Sequence, residues 1–451
     1  MNKGSLSVFF SAITLVVAAA GAAGAAPLSL REAVELGLES NHGLKAAAAA
    51  TGAAREDIGV ARGYLLPKIT FEERYMRTDN PTYAFSSKLN QERFSSSDFA
   101  IDSLNGPDAI NDFQTSFSIE QPLFARKALV GLDMAHQEYA ASRDELFRAR
   151  EQAAFDIASA YLSVNTASGF EKAAEAGVVD AKEHLRIAEA RHTGGLGIYS
   201  DVLRAGTGLL EAEQRLISAN KGLALAKRAL GLVLGLEEEA LTEPTGFDMP
   251  LRGVEHYLSS ARERSDLKSM EKRRENARNG VSLANSGYFP TIGVGGSYFM
   301  NDHDKPFGAE GDSWLVSASL RWTMFDATRG HEAAKARLKS IEAGERLSGM
   351  RQFVSFSVHQ AYLNVQEAQK TSELAEAALK TAEEGERLVR LRYENSLSAL
   401  VDLFDAESSL SNARAGAVMK KNAYTGALLS LSFESGTILK DLGISSPEGS
   451  Q

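Results

Sequence analysis

Four short segments of the chain alternate hydrophobic and polar residues, which predicts β-strands at about 68–86, 113–124, 291–301 and 314–325. The alternation is clearest in the last segment. One of its faces carries Trp314, Val316, Ala318, Leu320, Trp322 and Met324, and the other carries Ser317, Ser319, Arg321 and Thr323. Strands of about ten residues with this pattern are typical of membrane barrels. They also occur in ordinary amphipathic sheets that pack on helices.

Long segments without proline follow each pair of predicted strands. No proline occurs between Pro122 and Pro244 or between Pro306 and Pro447. Because proline inside a helix costs about 3 kcal/mol, these gaps favour long helices. The pattern predicts helices over 30–66, 126–193, 199–236, 254–289, 327–395 and 398–435, with breaks at Gly194-Gly195 and Asn395-Ser396.

The predicted helices carry many small residues. Ala, Gly and Ser are frequent, large apolar residues form thin stripes, and no heptad repeat continues over several turns. A simple coiled coil would show such a repeat. Small residues on two flanks of each helix favour side-by-side packing into a curved wall, and the alternative is a soluble bundle or coiled coil.

The second half of the chain repeats the plan of the first. A shift of 201 residues places 117–235 on 318–436 without a gap. The matches include Phe124 with Phe325, Tyr161 with Tyr362, Arg191 with Arg392 and Asp201 with Asp402. The leading helices match at a shift of 223, so the two shifts differ by 22 residues. This difference predicts an insertion near 79–112, a polar segment expected to form a long loop.

The predicted domain organisation follows from this duplication. The first structural repeat spans 28–236, a linker spans 237–253, the second repeat spans 254–436, and a C-terminal tail spans 437–451. Each repeat has the order helix, strand, strand, long helix, long helix.

Residues 1–25 are predicted to be a signal peptide. Lys3 supplies a positive start, 6–20 is apolar, and the small residues at 22–26 offer cleavage sites before Pro27. The alternative is a transmembrane anchor, but the apolar run is short and ends in Ala and Gly. Since no second run of spanning length follows, the mature chain is expected in the periplasm, outside the cell or in the outer membrane.

Charge and composition argue against several classes of function. The formal charge of −10 disfavours nucleic acid as a partner, because phosphate binding needs concentrated Lys and Arg. The chain has no cysteine, which excludes disulfides, thiolate metal sites and a cysteine nucleophile. His331-Glu332 begins like a zinc-protease motif, but Lys335 stands where the second histidine would be. The eight histidines are scattered and expected at the surface, so we predict no catalytic residues, metal or cofactor.

The only two tryptophans lie eight residues apart on the predicted strand at 314–325. That spacing corresponds to about 26 Å, and aromatic girdles flank an apolar band about 25 Å tall in membrane barrels. Trp314 and Trp322 are therefore predicted to be membrane-interface aromatics. Four strands cannot close a barrel, and lipid does not tolerate open sheet edges. The chain must therefore pool strands with copies of itself; two copies would supply eight strands and three would supply twelve.

Several short motifs lie at the ends of the predicted strands and helices. They are Tyr64-Leu65-Leu66-Pro67, Gln121-Pro122-Leu123-Phe124, Tyr288-Phe289-Pro290, Trp322-Thr323-Met324-Phe325, Arg392-Tyr393 and the run Leu400 to Ala406. In this order and spacing, and with the duplicated plan, they resemble the TolC-like outer-membrane efflux protein family. The resemblance extends from about Leu28 to Gly436.

The resemblance implies a homotrimer whose fold is mainly α with membrane β. Three chains would share a twelve-stranded β-barrel in outer-membrane lipid, followed by an α-barrel tunnel in the periplasm. Such a protein is a passive exit duct in a multi-part efflux or secretion system, where a periplasmic adaptor (membrane fusion) protein connects it to an inner-membrane transporter. The alternatives are a periplasmic coiled-coil adaptor or interaction protein, and a secreted enzyme.

The resemblance also implies that the tunnel is narrowest where the paired long helices turn. Asp402 and Asp405 are three residues apart and lie on one helical face, so a trimer would carry two stacked rings of carboxylates at this pore constriction. Like charges held close repel one another, and such rings attract cations. The alternative is two solvated surface aspartates.

A gate latch near the same turn is a further implication of the resemblance. In the family, a tyrosine and an arginine bond to the neighbouring helix pair. Tyr393 matches the tyrosine and Asp201 matches its partner, whereas Ser398 occupies the arginine position and cannot make a charge-assisted bond. The latch is therefore expected to be weaker or to use another residue, such as Arg204.

Overall fold

The computed structural model describes residues 28–236, 242 and 249–444. The predicted signal peptide, most of the predicted linker and the last residues of the predicted tail lie outside these residues. Within the described ranges, no helix combines the length and apolar character needed to cross a membrane.

Eleven helices and four strands form the described part of the chain. In chain order they are α1 (Leu30–Ser40), α2 (His42–Gly63), β1 (Lys68–Thr78), α3 (Pro81–Asn90), α4 (Ile101–Asn105), β2 (Ile110–Phe124), α5 (Arg126–Thr193), α6 (Tyr199–Leu234), α7 (Val254–Ala261), α8 (Ser265–Asn285), β3 (Thr291–Asp302), β4 (Gly311–Arg321), α9 (Thr328–Glu394), α10 (Leu400–Glu434) and α11 (Ile438–Asp441). The four long helices α5, α6, α9 and α10 confirm the predicted ones to within two residues at each end. Helix α5, with 68 residues, is about 100 Å long at about 1.5 Å per residue.

The helices that precede the strands are each divided in two, where the sequence predicted one. Asn41 ends α1 and caps α2, because its side-chain oxygen accepts a hydrogen bond from the Leu44 backbone N–H at 3.1 Å. The second repeat breaks at 262–264, between α7 and α8. The predictions of continuous helices over 30–66 and 254–289 were therefore wrong at these breaks.

Strands β2 and β4 begin three residues earlier than predicted, and strands β1 and β4 end before their predicted ends. The strand predicted to reach residue 86 ends at Thr78, because Asn80 caps α3 and Pro81 takes its first position. The insertion predicted as a loop therefore contains α3 and α4. Strand β4 ends at Arg321 rather than 325, because Arg321 pairs with Thr291 and the partner strand begins there. Trp322 thus lies one residue beyond its strand.

The four strands form one antiparallel sheet in the order β1-β2-β3-β4. Paired residues point to the same side of a sheet, so the register defines its two faces. One cross-strand row is aromatic and contains Phe71, Phe117, Tyr298 and Trp314. The next row on the other face contains Thr70, Ser118, Ser297 and Leu315. The sheet therefore has one apolar and one largely polar face, and β1 and β4 each have a free edge within the protomer.

Two hydrophobic cores lie at the same level along the long helices, one for each repeat. The first contains residues of α1, α5, α6, α10 and α11, which are Val34, Ile157, Tyr161, Leu230, Leu429 and Ile438 among others. Gly37 allows close packing there, since a Cβ on this residue would press on the end of the Ile157 side chain. The second core contains Tyr257, Leu267, Leu347, Val354, Val358 and Leu428. Residues 438–444, predicted to belong to a tail, are instead part of the first core.

A buried ionic network joins the two cores. The Arg264 guanidinium, 5% exposed, donates to both Asp266 carboxylate oxygens at 3.1 and 2.7 Å and to a Glu434 carboxylate oxygen at 3.0 Å. Arg148 lies 3.8 Å from Asp266 and bonds to Glu151 at 2.7 Å. The network therefore ties α5, α8 and α10 together at one level.

The two long hairpins end in turns with the same backbone shape. Gly195 has φ +71° between α5 and α6, and Ser396 has φ +61° between α9 and α10. These residues correspond under the shift of 201. The following residues, Leu196 and Leu397, are 71% and 70% exposed. Both turns therefore present a leucine to solvent at the same end of the molecule.

Replacing Arg264 with Gln is expected to lower the free energy of unfolding by about 3 kcal/mol, because it removes the buried guanidinium that pairs with the partly buried carboxylates of Asp266 and Glu434. Thermal unfolding of the detergent-solubilised protein, followed by circular dichroism, measures the effect. The control is Arg346→Gln, which breaks an exposed 2.7 Å ion pair with Glu342. Its expected cost is below about 0.5 kcal/mol. Equal destabilisation by both changes would contradict a special role for the buried network.

At the turn between α5 and α6, Gly195→Ala is expected to lower the free energy of unfolding by about 1 kcal/mol, because a side chain is unfavourable at this positive φ. Ser396→Gly is expected to change the free energy of unfolding by less than about 0.5 kcal/mol. The glycine relieves the strain of the positive φ, but it also adds conformational freedom to the unfolded chain. Hydrogen exchange of peptides that span each turn checks both values. A similar increase in the exchange rate of the turn amides in both variants would show that backbone conformation does not determine the stability of the turns.

Candidate functional site

The candidate constriction lies at the end where the two hairpins turn. The α5–α6 hairpin contributes Asp201, and the α9–α10 hairpin contributes Tyr393, Ser398, Asp402 and Asp405. The hairpins are held together below their turns by a small apolar cluster. Its buried members are Ile187, Tyr393, Leu400 and Leu403. The structure therefore brings all five predicted residues of this end into one region of the protomer.

Asp402 and Asp405 occupy the first two turns of α10, and both side chains are exposed. The Asp402 carboxylate accepts a hydrogen bond from the Ala399 backbone N–H at 3.1 Å, so it also caps the helix. The capping bond fixes the direction of this carboxylate.

Tyr393 is the best-packed of the predicted latch residues, with 2% of its surface exposed. The Arg191 guanidinium lies 4.4 Å from the centre of its ring and donates to its backbone carbonyl. Arg191 also donates to the Leu196 carbonyl at 3.4 Å. Burial raises the pKa of Tyr393, Arg191 opposes this shift, and Asp201 adds to it. Arg191 thus connects the end of α5, its own turn and the end of α9.

Among the residues that the structure describes, Ser398 and Arg204 make no comparable link. The Ser398 hydroxyl is 3.5 Å from the Val389 carbonyl, which belongs to the same hairpin. Arg204 is exposed. The arginine that contacts Tyr393 is Arg191, which the sequence analysis used only as a repeat match. Its position in the last turn of α5, just before the Gly194-Gly195 break, was the available signal.

The other functional surface is the apolar face of the sheet, which is open to solvent in the protomer. Trp314 is 74% exposed, and Phe71, Val316 and Leu320 are each more than half exposed. Trp322 donates from its indole nitrogen to the Tyr288 carbonyl at 3.2 Å, at the end of the sheet where the long helices begin. Contiguous exposed apolar surface of this kind marks contact with another protein or with lipid.

The insertion of the first repeat packs on the polar face at the opposite end of the sheet. The Gln91 side-chain amide donates to the Asp112 carboxylate at 2.8 Å and to the Asn111 carbonyl at 2.9 Å. The Asn301 amide donates to the same Asp112 oxygen at 3.0 Å. Gln91, Asp112 and Asn301 are all buried. The sequence analysis predicted only a polar loop here and missed this connection.

Histidines and carboxylates come together at two places in the described ranges. One group is His184, Glu386 and Glu407 between the long helices, and the other is Asp302, His303 and Glu310 in the loop between β3 and β4. His184 is completely buried, so the expectation that every histidine lies at the surface was wrong for this residue.

Comparison with known proteins identifies the family. The model of the outer membrane efflux protein family matches residues 33–236 and 257–437. The outer membrane protein TolC of Vibrio cholerae is 26% identical over 195 residues, which are 43% of this chain and 39% of that protein. The match to this relative thus spans about two fifths of its length.

Solved structures share the fold along nearly the whole chain. A membrane protein from Pseudomonas aeruginosa is 19% identical, with a TM-score of 0.76 over 90% of this chain and 92% of that one. The CmeC outer membrane channel of Campylobacter jejuni is 17% identical, with a TM-score of 0.74 over 91% and 86%. The VceC outer membrane protein of Vibrio cholerae is 18% identical, with a TM-score of 0.73 over 92% and 96%. At these identities the likeness is one of fold.

The family match confirms the resemblance on which the sequence analysis relied, and with it the outer-membrane location. The family and the fold are those of efflux channels and not of enzymes. The duplicated helical hairpins, the four-stranded sheet and the family model together establish that the chain belongs to the outer membrane efflux protein family.

Proposed function

We propose that the protein is the passive exit duct of a multi-part efflux or secretion system, in which three copies close one barrel and one tunnel. The observation that carries the proposal is the four-stranded sheet with two free edges and a continuous exposed apolar face. Lipid offers no hydrogen-bond partners to an open edge, so β1 of one copy must pair with β4 of another. The polar face then lines the lumen and the apolar face contacts outer-membrane lipid.

Three copies fit a duct better than two. Two copies would give eight strands, and the interior of an eight-stranded barrel is filled by side chains or holds one small ligand. Three copies give twelve strands and leave room for transported molecules, in agreement with the trimer that the family resemblance implies. In this arrangement Trp314 and Trp322 lie at the two membrane interfaces.

The long helices carry a second surface suited to another copy. On α6, the exposed side chains of Leu203, Leu210, Ile217, Leu225 and Leu232 follow one face, at intervals of seven or eight residues. Each is more than half exposed. The buried face of the same helix, with Ala205, Ala212 and Leu230, points the other way. A neighbouring protomer would cover this stripe and close the helical wall.

The periplasmic end would provide both the gate and the docking site. Asp402 and Asp405 would form stacked carboxylate rings at the constriction, and Tyr393, with Asp201 and Arg191, would hold the hairpins in the closed position. Ser398 would leave the contact to the next protomer weaker than an arginine would. The exposed Leu196 and Leu397 offer apolar contacts to a periplasmic adaptor, which would link the duct to an inner-membrane transporter.

The alternative role as a periplasmic coiled-coil adaptor is disfavoured by the sheet. Such a protein needs a separate β-rich module and no lipid-facing strands. Here the strands join the long helices end to end, and their apolar face is exposed.

Trimer formation is expected to fail when charges are placed on the α6 stripe, because an interface would then bury unpaired carboxylates. The variant is Leu210→Asp with Ile217→Asp, and light scattering of the detergent-solubilised protein after gel filtration gives its oligomeric state. The control is Leu210→Met with Ile217→Leu, which keeps the stripe apolar and should remain trimeric. A trimer of normal stability in the aspartate variant would place the subunit interface elsewhere.

The constriction is tested by conductance of the purified mature protein in a planar bilayer. The wild type is expected to give small, cation-selective currents, because carboxylate rings attract cations. Asp402→Asn with Asp405→Asn removes every charge of both rings and should abolish the selectivity. Asp402→Glu with Asp405→Glu keeps the charges and should retain it.

Two other outcomes of this measurement have definite meanings. A pore whose selectivity is the same in all three proteins would keep the duct and move the constriction away from these residues. Absence of any pore from folded, trimeric protein would contradict the proposed function.

A further inference from the structure

A group of buried ionisable side chains connects the two hairpins behind their turns. His184 comes from α5, Glu386 from α9 and Glu407 from α10, and one potential ligand atom of each lies within 4.8 Å of the others. His184 is 0% exposed and Glu386 is 3% exposed. His184 lies nine residues before the end of α5, which is about 14 Å at about 1.5 Å per residue. Glu407 follows Asp405 by only two residues on α10, but successive residues differ by about 100° around a helix, so the two side chains lie on nearly opposite faces.

Two of the polar atoms in this group are buried without a hydrogen-bond partner. The His184 Nε2 atom lies 3.4 Å from a Glu386 carboxylate oxygen, but its Nδ1 atom has no partner. One Glu407 carboxylate oxygen is also unpartnered. Buried polar atoms without a hydrogen-bond partner destabilise a folded protein. A bound cation would compensate the carboxylate and one imidazole nitrogen.

The charges around the group also leave room for a cation. Arg390 pairs with Glu386 at 3.1 Å, and Arg414 pairs with Asp180 at 2.6 Å. Glu407 is the third carboxylate near these two arginines, so carboxylates outnumber arginines around the group. A cation bound beside Glu407 would offset this excess of negative charge.

We infer that His184, Glu386 and Glu407 form a binding site for a divalent transition-metal ion of the zinc type, which ties α5 to α9 and α10. One imidazole nitrogen and two carboxylate oxygens, with water in the fourth position, are a ligand set that zinc accepts. The histidine disfavours Mg²⁺ and Ca²⁺, which take oxygen ligands. Zinc–ligand bonds of about 2.0–2.2 Å place donor atoms about 3.3 Å apart, and the 3.4 Å between His184 Nε2 and the Glu386 oxygen already matches this spacing.

The site has a structural consequence that does not depend on the trimer, since all three residues belong to one protomer. It bridges the first repeat and the second repeat, whose hairpins also meet through the Ile187–Leu403 cluster, the Arg191–Tyr393 contact and the Arg414–Asp180 ion pair. An ion that binds only the folded arrangement raises its stability in proportion to the free ion concentration. Bound zinc is therefore expected to stabilise the contact between the two hairpins near the closed end.

The test is calorimetric titration of Zn²⁺ into the metal-free, detergent-solubilised mature protein. All variants carry His303→Gln, which removes the exposed second group at Asp302, His303 and Glu310. In this background we expect one Zn²⁺ per protomer and a rise in the unfolding temperature of at least about 3 °C at saturating Zn²⁺. Excess Mg²⁺ should not compete.

Adding His184→Gln is expected to weaken Zn²⁺ binding at least about tenfold and to abolish the temperature rise, because it removes the nitrogen ligand. Glu407→Gln supplies a second variant that keeps the side-chain shape and relieves a buried charge, so it should fold at least as well. It should weaken binding to a similar extent. Folded His303→Gln protein that binds no Zn²⁺ would overturn the inference, as would undiminished affinity in Glu407→Gln.

Discussion

A β-sheet that faces lipid cannot leave its edge strands unpaired, because no water is present there to bond the free N–H and C=O groups. In this chain the constraint falls on β1 and β4, the two edges of a sheet too small to close on itself. The remaining architecture is consistent with that requirement. In the proposed barrel the apolar row from Phe71 to Trp314 would face lipid, and the polar row from Thr70 to Ser297 would face the lumen. The exposed stripe of α6 would also meet another copy.

The duplication explains why particular side chains meet between the hairpins. The repeats correspond at a shift of 201, and the contacts His184–Glu386 and Arg191–Tyr393 both join residues 202 apart. Helices α5 and α9 therefore approach each other at the same height near their turns, where nearly equivalent positions of the two repeats meet. The two repeats carry different residues at these positions, so the contacts are an ion pair for His184–Glu386 and a cation–ring contact for Arg191–Tyr393.

The parts of the fold with strong local signals could be predicted from the sequence. The absence of proline and the Gly194-Gly195 and Asn395-Ser396 breaks gave the bounds of α5 and α9, and alternation gave the faces of β4. The end of β1 was missed although Asn80-Pro81 carried a helix-start signal. Arg191 and His184 could not be assigned, because their contacts cross the whole repeat and nothing in the local pattern distinguishes a buried histidine from an exposed one.

The insertion between β1 and β2 gives the two ends of the molecule different rotational symmetry. At the turns, Leu196 and Leu397 repeat one backbone motif, so three copies would present six nearly equivalent positions in a ring. At the other end only the first repeat carries α3 and the Gln91–Asp112 connection, so the arrangement there can only be threefold. A ring of six subunits could therefore engage every turn in the periplasm, whereas a binder on the outer surface would find only three matching positions.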